Sequence, residues 1–193
     1  MNLIYPRQWL KIANRALNLI GSESLQDFDD GSQAAQNIEV QLPAAVQEVM
    51  AYHPFWCARK RMTLAPLADA PAFGYKFAYA LPADFCSLVE VHSGDMKLKG
   101  EEYSREGNTI LSDVESMGIV YTALPETPEA LVPAVQGAIV HLLAYKLAQI
   151  TTANDALTAR LFQEYQTSLV EAVKRDGQGR GDTDGERPWT EGR

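Results

Sequence analysis

Residues 134–176, AVQGAIVHLLAYKLAQITTANDALTARLFQEYQTSLVEAVKRD, contain two helical patterns in succession. Apolar residues recur at spacings of three and four on both sides of the polar segment TTAND, which interrupts the pattern. Asn and Asp in this segment favour the start of a new helix, because their side chains can cap its first amides. The stretch therefore predicts two long antiparallel helices, over about residues 129–150 and 154–175.

Two further helices are predicted nearer the N-terminus, over about residues 6–20 and 32–52. Pro6 suits a first helical turn and Gly21 suits a helix stop. Pro43 lies inside the second helix and is expected to kink or split it, because proline cannot donate the helical hydrogen bond.

The middle of the chain, about residues 55–124, has short runs separated by Pro and Gly, which is typical of strands joined by turns. Five runs are predicted as strands: RKRMTLAPL, GYKFAYAL, SLVEVHS, NTILSD and GIVYTAL. The sequence thus predicts one mainly helical α+β domain over residues 1–176. Its expected architecture is a four-helix core with a small antiparallel sheet inserted between helices two and three. Residues 177–193 are rich in Gly, Asp and Arg, and we expect them to form a flexible C-terminal tail.

The composition argues against tight binding of nucleic acid. The formal net charge is −8, from 17 basic and 25 acidic residues, whereas non-specific affinity for DNA comes from Lys and Arg that neutralise phosphates. No Lys or Arg occurs between Arg15 and Arg59, so we expect one large acidic surface that DNA could pass without being held. The acidic residues of this stretch are Glu23, Asp27, Asp29, Asp30, Glu39 and Glu48.

The sequence shows no secretory signal pattern, and its most apolar window is interrupted by His141 and Lys146. Neither export nor a membrane span is therefore expected. The two cysteines, Cys57 and Cys86, form no C-x-x-C pair, and their apolar neighbours predict two reduced, buried thiols. Synthesis in a cytoplasm follows from these features.

Motifs typical of phosphate-binding loops, dinucleotide sites, zinc proteases and serine hydrolases are absent from the sequence. His53, His92 and His141 lie in different predicted elements, and we interpret each as a structural residue. We predict no catalytic residue and no cofactor.

Two pairs of acidic residues are candidate sites. Asp27 and Asp29 have the spacing of the first two ligands of a calcium loop, but Ile38 stands where the bidentate Glu should be, so a metal site is rejected. Glu101 and Glu102 could act as paired carboxylates, but adjacent strand residues point to opposite faces, and a solvated turn is the preferred interpretation.

The segment FAYALPADFCSLVEV, residues 77–91, begins as a strand and stops at LPAD. Pro82 cannot donate to a sheet and so ends the pairing, while Asp84 can bond backbone amides of the turn. We interpret Asp84 as a turn residue rather than a catalytic one. Arg59, Lys60 and Arg61 form the densest basic cluster, which is either an exposed strand edge or a contact for DNA or an acidic partner.

The order of segments resembles the head-to-tail adaptor family of short-tailed phages, also called tail tubular protein A, over about residues 9–176. The resemblance lies in five successive segments: IANRALNLIGSESLQDFDDGSQAA, YHPFWCARKRMTLA, GYKFAYALPADFCSLVEV, REGNTILSDVESMGIVYTAL and the helical pair quoted above.

The resemblance implies a structural protein of the virion neck, made in the host cytoplasm, and not an enzyme. Such proteins form a ring, commonly of twelve copies, that docks under the portal, receives the tail nozzle, retains DNA and later conducts it. Rigid helices whose outer faces stay partly apolar would suit the contacts between copies, and helices three and four are expected to supply them.

The tail has an expected role in this assembly. We expect residues 178–193 to order on contact with the portal, with Trp189 as the anchor and Arg187 as a charged contact. A solvated terminus with no task is the alternative. Two other hypotheses for the whole chain stay open: a connector or tail completion protein of a long-tailed phage, and a virion-associated cell-wall glycan hydrolase.

Overall fold

A computed structural model describes residues 7–179 of the chain. A 3₁₀ turn, Arg7–Trp9, precedes four helices: α1 (Leu10–Leu19), α2 (Gln33–Tyr52), α3 (Pro133–Thr151) and α4 (Asp155–Gly179). Seven strands lie between α2 and α3: β1 (Arg59–Leu64), β2 (Phe77–Ala80), β3 (Phe85–Ser93), β4 (Met96–Lys97), β5 (Tyr103–Glu106), β6 (Thr109–Ser112) and β7 (Met117–Ala123). The predicted mixed α+β class is confirmed.

The third helix is central to the helical layer. α1, α2 and α4 all pack against α3, and its residues Ile139, Leu143 and Leu147 are fully or almost fully buried. A helix that is apolar around its whole circumference must be covered on several sides. All four helices accordingly contribute to a single hydrophobic cluster, here called the helical core.

The ends of the helices follow the local sequence signals. The Ser32 hydroxyl accepts a hydrogen bond from the Ala35 amide at 3.1 Å and so caps the N-terminus of α2. The Asn154 side chain accepts one from the Leu157 amide at 3.0 Å and begins α4. After α1, Gly21 has a φ of 74°, a left-handed conformation that glycine adopts without strain. The predicted stop and the predicted polar hinge are thus confirmed.

Other boundaries differ from the predictions. α2 is one continuous helix that includes Pro43, so the predicted split is absent, because Leu42 before the proline and Ala45 and Val46 after it are buried and hold the helix together. A 3₁₀ turn, Pro128–Ala130, occupies the expected start of α3, since Pro133 suits a first helical position and places the start there. α4 extends to Gly179, so the first three residues of the predicted tail are helical.

The strands form two antiparallel sheets where one was predicted. Their orders are β1-β7-β3-β4 and β2-β6-β5. Ile119 and Tyr121 from the first sheet pack against Tyr79 and Ile110 from the second, and this second hydrophobic cluster is here called the sheet core. β4 and β5 were not predicted, because one is only two residues long and the other, YSRE, is largely polar.

The two layers meet near the start of β1 and the end of β7. Cys57, Cys86 and Leu124 belong to this junction and pack against the helical core. The Trp9 indole donates to the Glu126 carbonyl at 2.9 Å, which ties the N-terminal turn to the segment after β7. Within residues 7–179, no helix combines the length and apolar character that crossing a membrane requires.

Candidate functional site

The basic cluster at the start of β1 is divided by the strand itself. In the antiparallel register Arg59 pairs with Thr122, and Arg61 pairs with Val120. Successive strand side chains point to opposite faces, so Arg59 and Arg61 share one face and Lys60 lies on the other. The structure therefore does not unite the three residues in one basic patch, and their role in binding a partner stays a prediction.

Lys60 on β1 is held by Asp84, which lies just before β3, on the far side of β7. The Lys60 ammonium donates to one Asp84 oxygen at 2.7 Å, and the Tyr121 hydroxyl donates to the other at 3.1 Å. Partial burial acts to raise the pKa of Asp84, but these two hydrogen bonds hold that pKa below its usual value. The Asp84 carboxylate in turn raises the pKa of Lys60. Both groups are charged at neutral pH, which suits an ion pair and not proton transfer.

The predicted turn at Asp84 is present. The Phe85 amide donates to the Pro82 carbonyl at 3.1 Å, which closes the turn after β2. The sequence interpretation missed that the Asp84 carboxylate also ties Lys60 to Tyr121. Asp84 thus joins three strand segments, which is a structural role.

Arg59 lies at the junction of the layers. Its guanidinium donates to the Pro54 carbonyl at 3.5 Å and lies 5.8 Å from the centre of the Trp56 ring. Within the part of the chain that the structure describes, the buried Arg59 Nε has no hydrogen-bond partner. An unpaired buried donor is costly to stability, and because this nitrogen is sealed from solvent it is a strained feature of the junction and not a binding group.

A cleft of about 320 Å³ opens beside Arg59, between the start of β1 and the segment that follows β7. Its polar rim includes Arg59, Lys60 and Glu126, and burial raises the pKa of the Cys57 thiol at its wall. We call this the β1–β7 cleft, and its apolar lining consists of Ala58, Ala123, Leu124, Pro125, Ala130 and Leu131.

The outer faces of α2 and α4 are uncharged along most of their length. Val40 on α2 is 68% exposed and Val170 on α4 is 65% exposed. Each is flanked by exposed neutral residues at helical spacings of three and four. These neutral faces are formed by Gln33, Gln36, Val40, Ala44, Gln47 and Ala51 on α2, and by Ala156, Ala159, Gln163, Gln166 and Val170 on α4.

The outer face of α1 differs, because two of its three exposed residues, Lys11, Arg15 and Asn18, are basic. On α4 the charged pairs Arg160–Glu164 and Arg175–Glu171 lie beside the neutral face, and the exposed Lys174 ends that face one turn after Val170. Charged side chains are depleted in the centres of protein interfaces. The neutral faces of α2 and α4 are therefore candidate contact surfaces. The expectation that helix three supplies such a face is wrong, because α3 is covered by the three other helices.

Asp176, near the end of α4, is buried and links the two layers. Its carboxylate accepts from the Trp56 amide at 2.7 Å and lies 3.2 Å from the His53 imidazole. This contact fixes the last turns of α4 beside the start of the sheet layer. The predicted structural role of His53 agrees with it.

The other histidines also have local contacts. His92 lies 3.0 Å from Glu90 within β3, and His141 is hydrogen-bonded to Ser168 between α3 and α4. Burial lowers the pKa of His141 and so favours its neutral form. Among the described residues, no group of three His, Cys, Asp or Glu side chains could hold a metal ion.

The remaining sequence candidates are placed as follows. Glu101 and Glu102 lie in an exposed turn, as expected. Cys57 and Cys86 are free thiols, but both are half-buried and not fully buried; Cys57 is reached by solvent through the β1–β7 cleft. Trp189 and Arg187 lie outside the residues that the structure describes.

Two features were missed by the sequence analysis. The cleft depends on strand pairing, which has no local signal in the sequence. The neutral helix faces could have been found from the spacing of uncharged residues in α2 and α4.

A scan against models of protein families and a search of curated proteins both found no match.

Proposed function

We propose that the protein is a head-to-tail adaptor of a phage virion, which assembles into a ring between the portal and the tail nozzle. The observation that carries this proposal is the pair of neutral outer faces on α2 and α4. An exposed helix face is normally rich in Lys and Glu, and their depletion is characteristic of protein interfaces.

The two faces belong to different helices and differ in sequence, so contact between them is heterologous. In such a contact one surface of each copy meets another surface of the next, and the series closes into a ring when the rotation allows it. α2 spans about 30 Å and α4 about 37 Å at 1.5 Å per residue, so the two faces are comparable in length. A four-helix core that holds both helices rigid, with the strands as an insertion, is the arrangement we propose for each subunit.

Transient passage of DNA fits the charge of the chain. The acidic residues between Arg15 and Arg59 are all exposed. Two of them are partly neutralised, since Arg7 lies 3.9 Å from Asp27 and Lys146 lies 2.7 Å from Glu48. The rest of this surface would repel phosphates, so DNA could move past the ring without the contacts that hold it in place.

The test is the assembly state of the full chain, alone and mixed with portal particles, by light scattering and negative-stain microscopy. We expect rings, and we expect Val40→Glu and Val170→Glu each to weaken assembly by at least about 30-fold, because a carboxylate buried without a partner costs about 2 kcal/mol or more. Asn18→Glu, on the outer face of α1, is the matched control and should assemble normally.

Two results would contradict the proposal. One is a wild-type chain that stays monomeric both alone and with portal. The other is a purified chain that degrades cell-wall glycan in a turbidity assay, which would favour the hydrolase hypothesis instead.

A further inference from the structure

The loop between β1 and β2 presents an aromatic side chain to solvent. Phe73 is 89% exposed, and the adjacent Gly74 has a φ of 91°. This left-handed conformation is one that glycine adopts without strain, so the loop turns sharply next to the phenyl ring.

Both ends of this loop are tied to the second sheet. The Leu67 amide donates to the Ala78 carbonyl at 2.8 Å, and the Lys76 amide donates to the Asp113 carboxylate at 3.0 Å. Only the segment between these two bonds projects from the sheet. Phe73 is therefore held out from the domain at a defined place and does not pack on its own core.

The β1–β7 cleft lies at the opposite end of β1 from this loop. The loop follows Leu64, whereas the cleft begins at Arg59, about 16 Å away along the strand at 3.3 Å per residue. An apolar protrusion and an apolar cleft at different places on one chain can meet only when one copy offers the protrusion and the next offers the cleft. That is the geometry of a head-to-tail contact.

The chemistry of the two surfaces is complementary. The cleft of about 320 Å³ is lined mainly by small aliphatic residues, and the Arg59 guanidinium at its rim can contact the face of an aromatic ring. Charges also match: the loop contains Asp69 and Lys76, and the rim contains Arg59, Lys60 and Glu126. Because the Lys60 ammonium is already paired with Asp84, Arg59 and Glu126 are the rim charges that would face the loop. The phenyl group of Phe73, with an acidic residue before it and a basic residue after it in the loop, is thus complementary to the cleft.

We propose that Phe73 of one copy inserts into the β1–β7 cleft of the next copy and so fixes the angle between neighbours. This proposal rests on the ring assembly proposed above. It adds a contact made by the sheet layer to the contact made by the helix faces.

Cys57 at the cleft wall permits a direct test. In a Cys86→Ser background, Phe73→Cys should cross-link to Cys57 of the neighbouring copy when a short bismaleimide is added to assembled full-length protein. We expect a series of covalent oligomers in a denaturing gel. Adding Cys57→Ser should abolish the series, and circular dichroism should confirm that this control is folded.

Two further variants test the contact without cysteine chemistry. Phe73→Ala should weaken association by at least about tenfold, and Phe73→Trp should retain it. Ala130→Trp changes an exposed residue at the cleft. Its indole ring should fill the cleft and so block the contact.

The outcomes separate the two proposals. If rings form normally with Phe73→Ala and with Ala130→Trp, and no oligomers depend on Cys57, the Phe73 contact is wrong while the adaptor proposal stands. Cross-links from Phe73→Cys to portal that do not require Cys57 would also overturn the contact between copies. If the wild-type chain forms no ring with or without portal, both proposals fail.

Discussion

The helical layer and the sheet layer bury their apolar surface in different ways. α3 is covered by three other helices, whereas each sheet buries one face against the other sheet. Their exposed surfaces differ as well. The outer faces of α2 and α4 are neutral, and the ion pairs of these helices, such as Arg160–Glu164, lie beside those faces. The sheet layer instead has its ion pairs Lys60–Asp84 and Lys97–Glu90 on its exposed strands.

The two layers thus have two kinds of exposed surface, one with ion pairs and one without charge. Ion pairs at an exposed surface add little stability, but they keep that surface compatible with water. A neutral helix face is less compatible with water, which is consistent with a partner covering that face. In the sheet layer the apolar features are instead local: one projecting phenyl group and one cleft.

The largest expected effect comes from opening a cavity in the helical core. Leu143→Ala should lower the free energy of unfolding by about 2–5 kcal/mol, because Leu143 on α3 is fully buried and its removal leaves space that cannot collapse. Urea denaturation measures this change. Ile150→Ala, on the same helix but 53% exposed, is the matched control and should cost about 0.5 kcal/mol or less. Equal losses in the two variants would show that α3 is not the centre of the layer.

An intermediate effect should come from separating the two layers at Asp176. Asp176→Ala removes the acceptor for the Trp56 amide and the neighbour of His53, at a cost of about 1–3 kcal/mol. Asp176→Asn retains an oxygen that can accept from the amide, so it should cost less. Chemical denaturation ranks the variants, and an alanine variant as stable as the wild type would mean that the layers are joined elsewhere.

The smallest effect is expected at the surface of the sheet layer, where acid should remove a contribution from Glu90. Hydrogen bonds from Lys97 and then from His92 lower the pKa of Glu90 from 4.5 to about 2. Because the folded pKa lies below the unfolded one, this contribution is complete above about pH 4.5 and is lost as the pH falls towards 2.

The variant Glu90→Gln should therefore lose less stability than the wild type between pH 4.5 and 2, by about 1 kcal/mol at most, because the pair is near the surface. Thermal unfolding at several pH values measures the difference. The control is Glu101→Gln in the exposed turn. If Glu90→Gln and wild type have parallel pH profiles, the ion pairs of the sheet layer contribute nothing.

The sequence was sufficient to predict the helices and strands that have a clear local pattern. Four helices and five of the seven strands lie where apolar spacing and turn residues predicted them. The division into two sheets could not be predicted, because it depends on which strands pair across the chain. Ser32 and Asn154 were informative because a helix cap acts within four residues, whereas Tyr121 meets Asp84 across 37 positions.

The candidate contacts were harder to predict for the same reason. Nothing near Phe73 in the sequence indicates that its ring is exposed, since a phenylalanine in an apolar loop is as compatible with burial. The β1–β7 cleft is built from two segments of the chain, residues 57–60 and 123–131, that are distant in sequence. The basic run at β1 was visible in sequence, but its division between two faces and the capture of Lys60 by Asp84 follow only from the strand register.

The insertion of all seven strands between α2 and α3 has a consequence for synthesis. α1 and α2 leave the ribosome while α3, the helix against which both pack, is still some 80 residues from being made. At about 5–20 residues per second the delay is on the order of ten seconds, which is long compared with the formation of a helix. During that interval the apolar sides of the first two helices have no cover from their own chain. The nascent protein is then at its greatest risk of aggregation, and chaperone binding would be most useful at this stage.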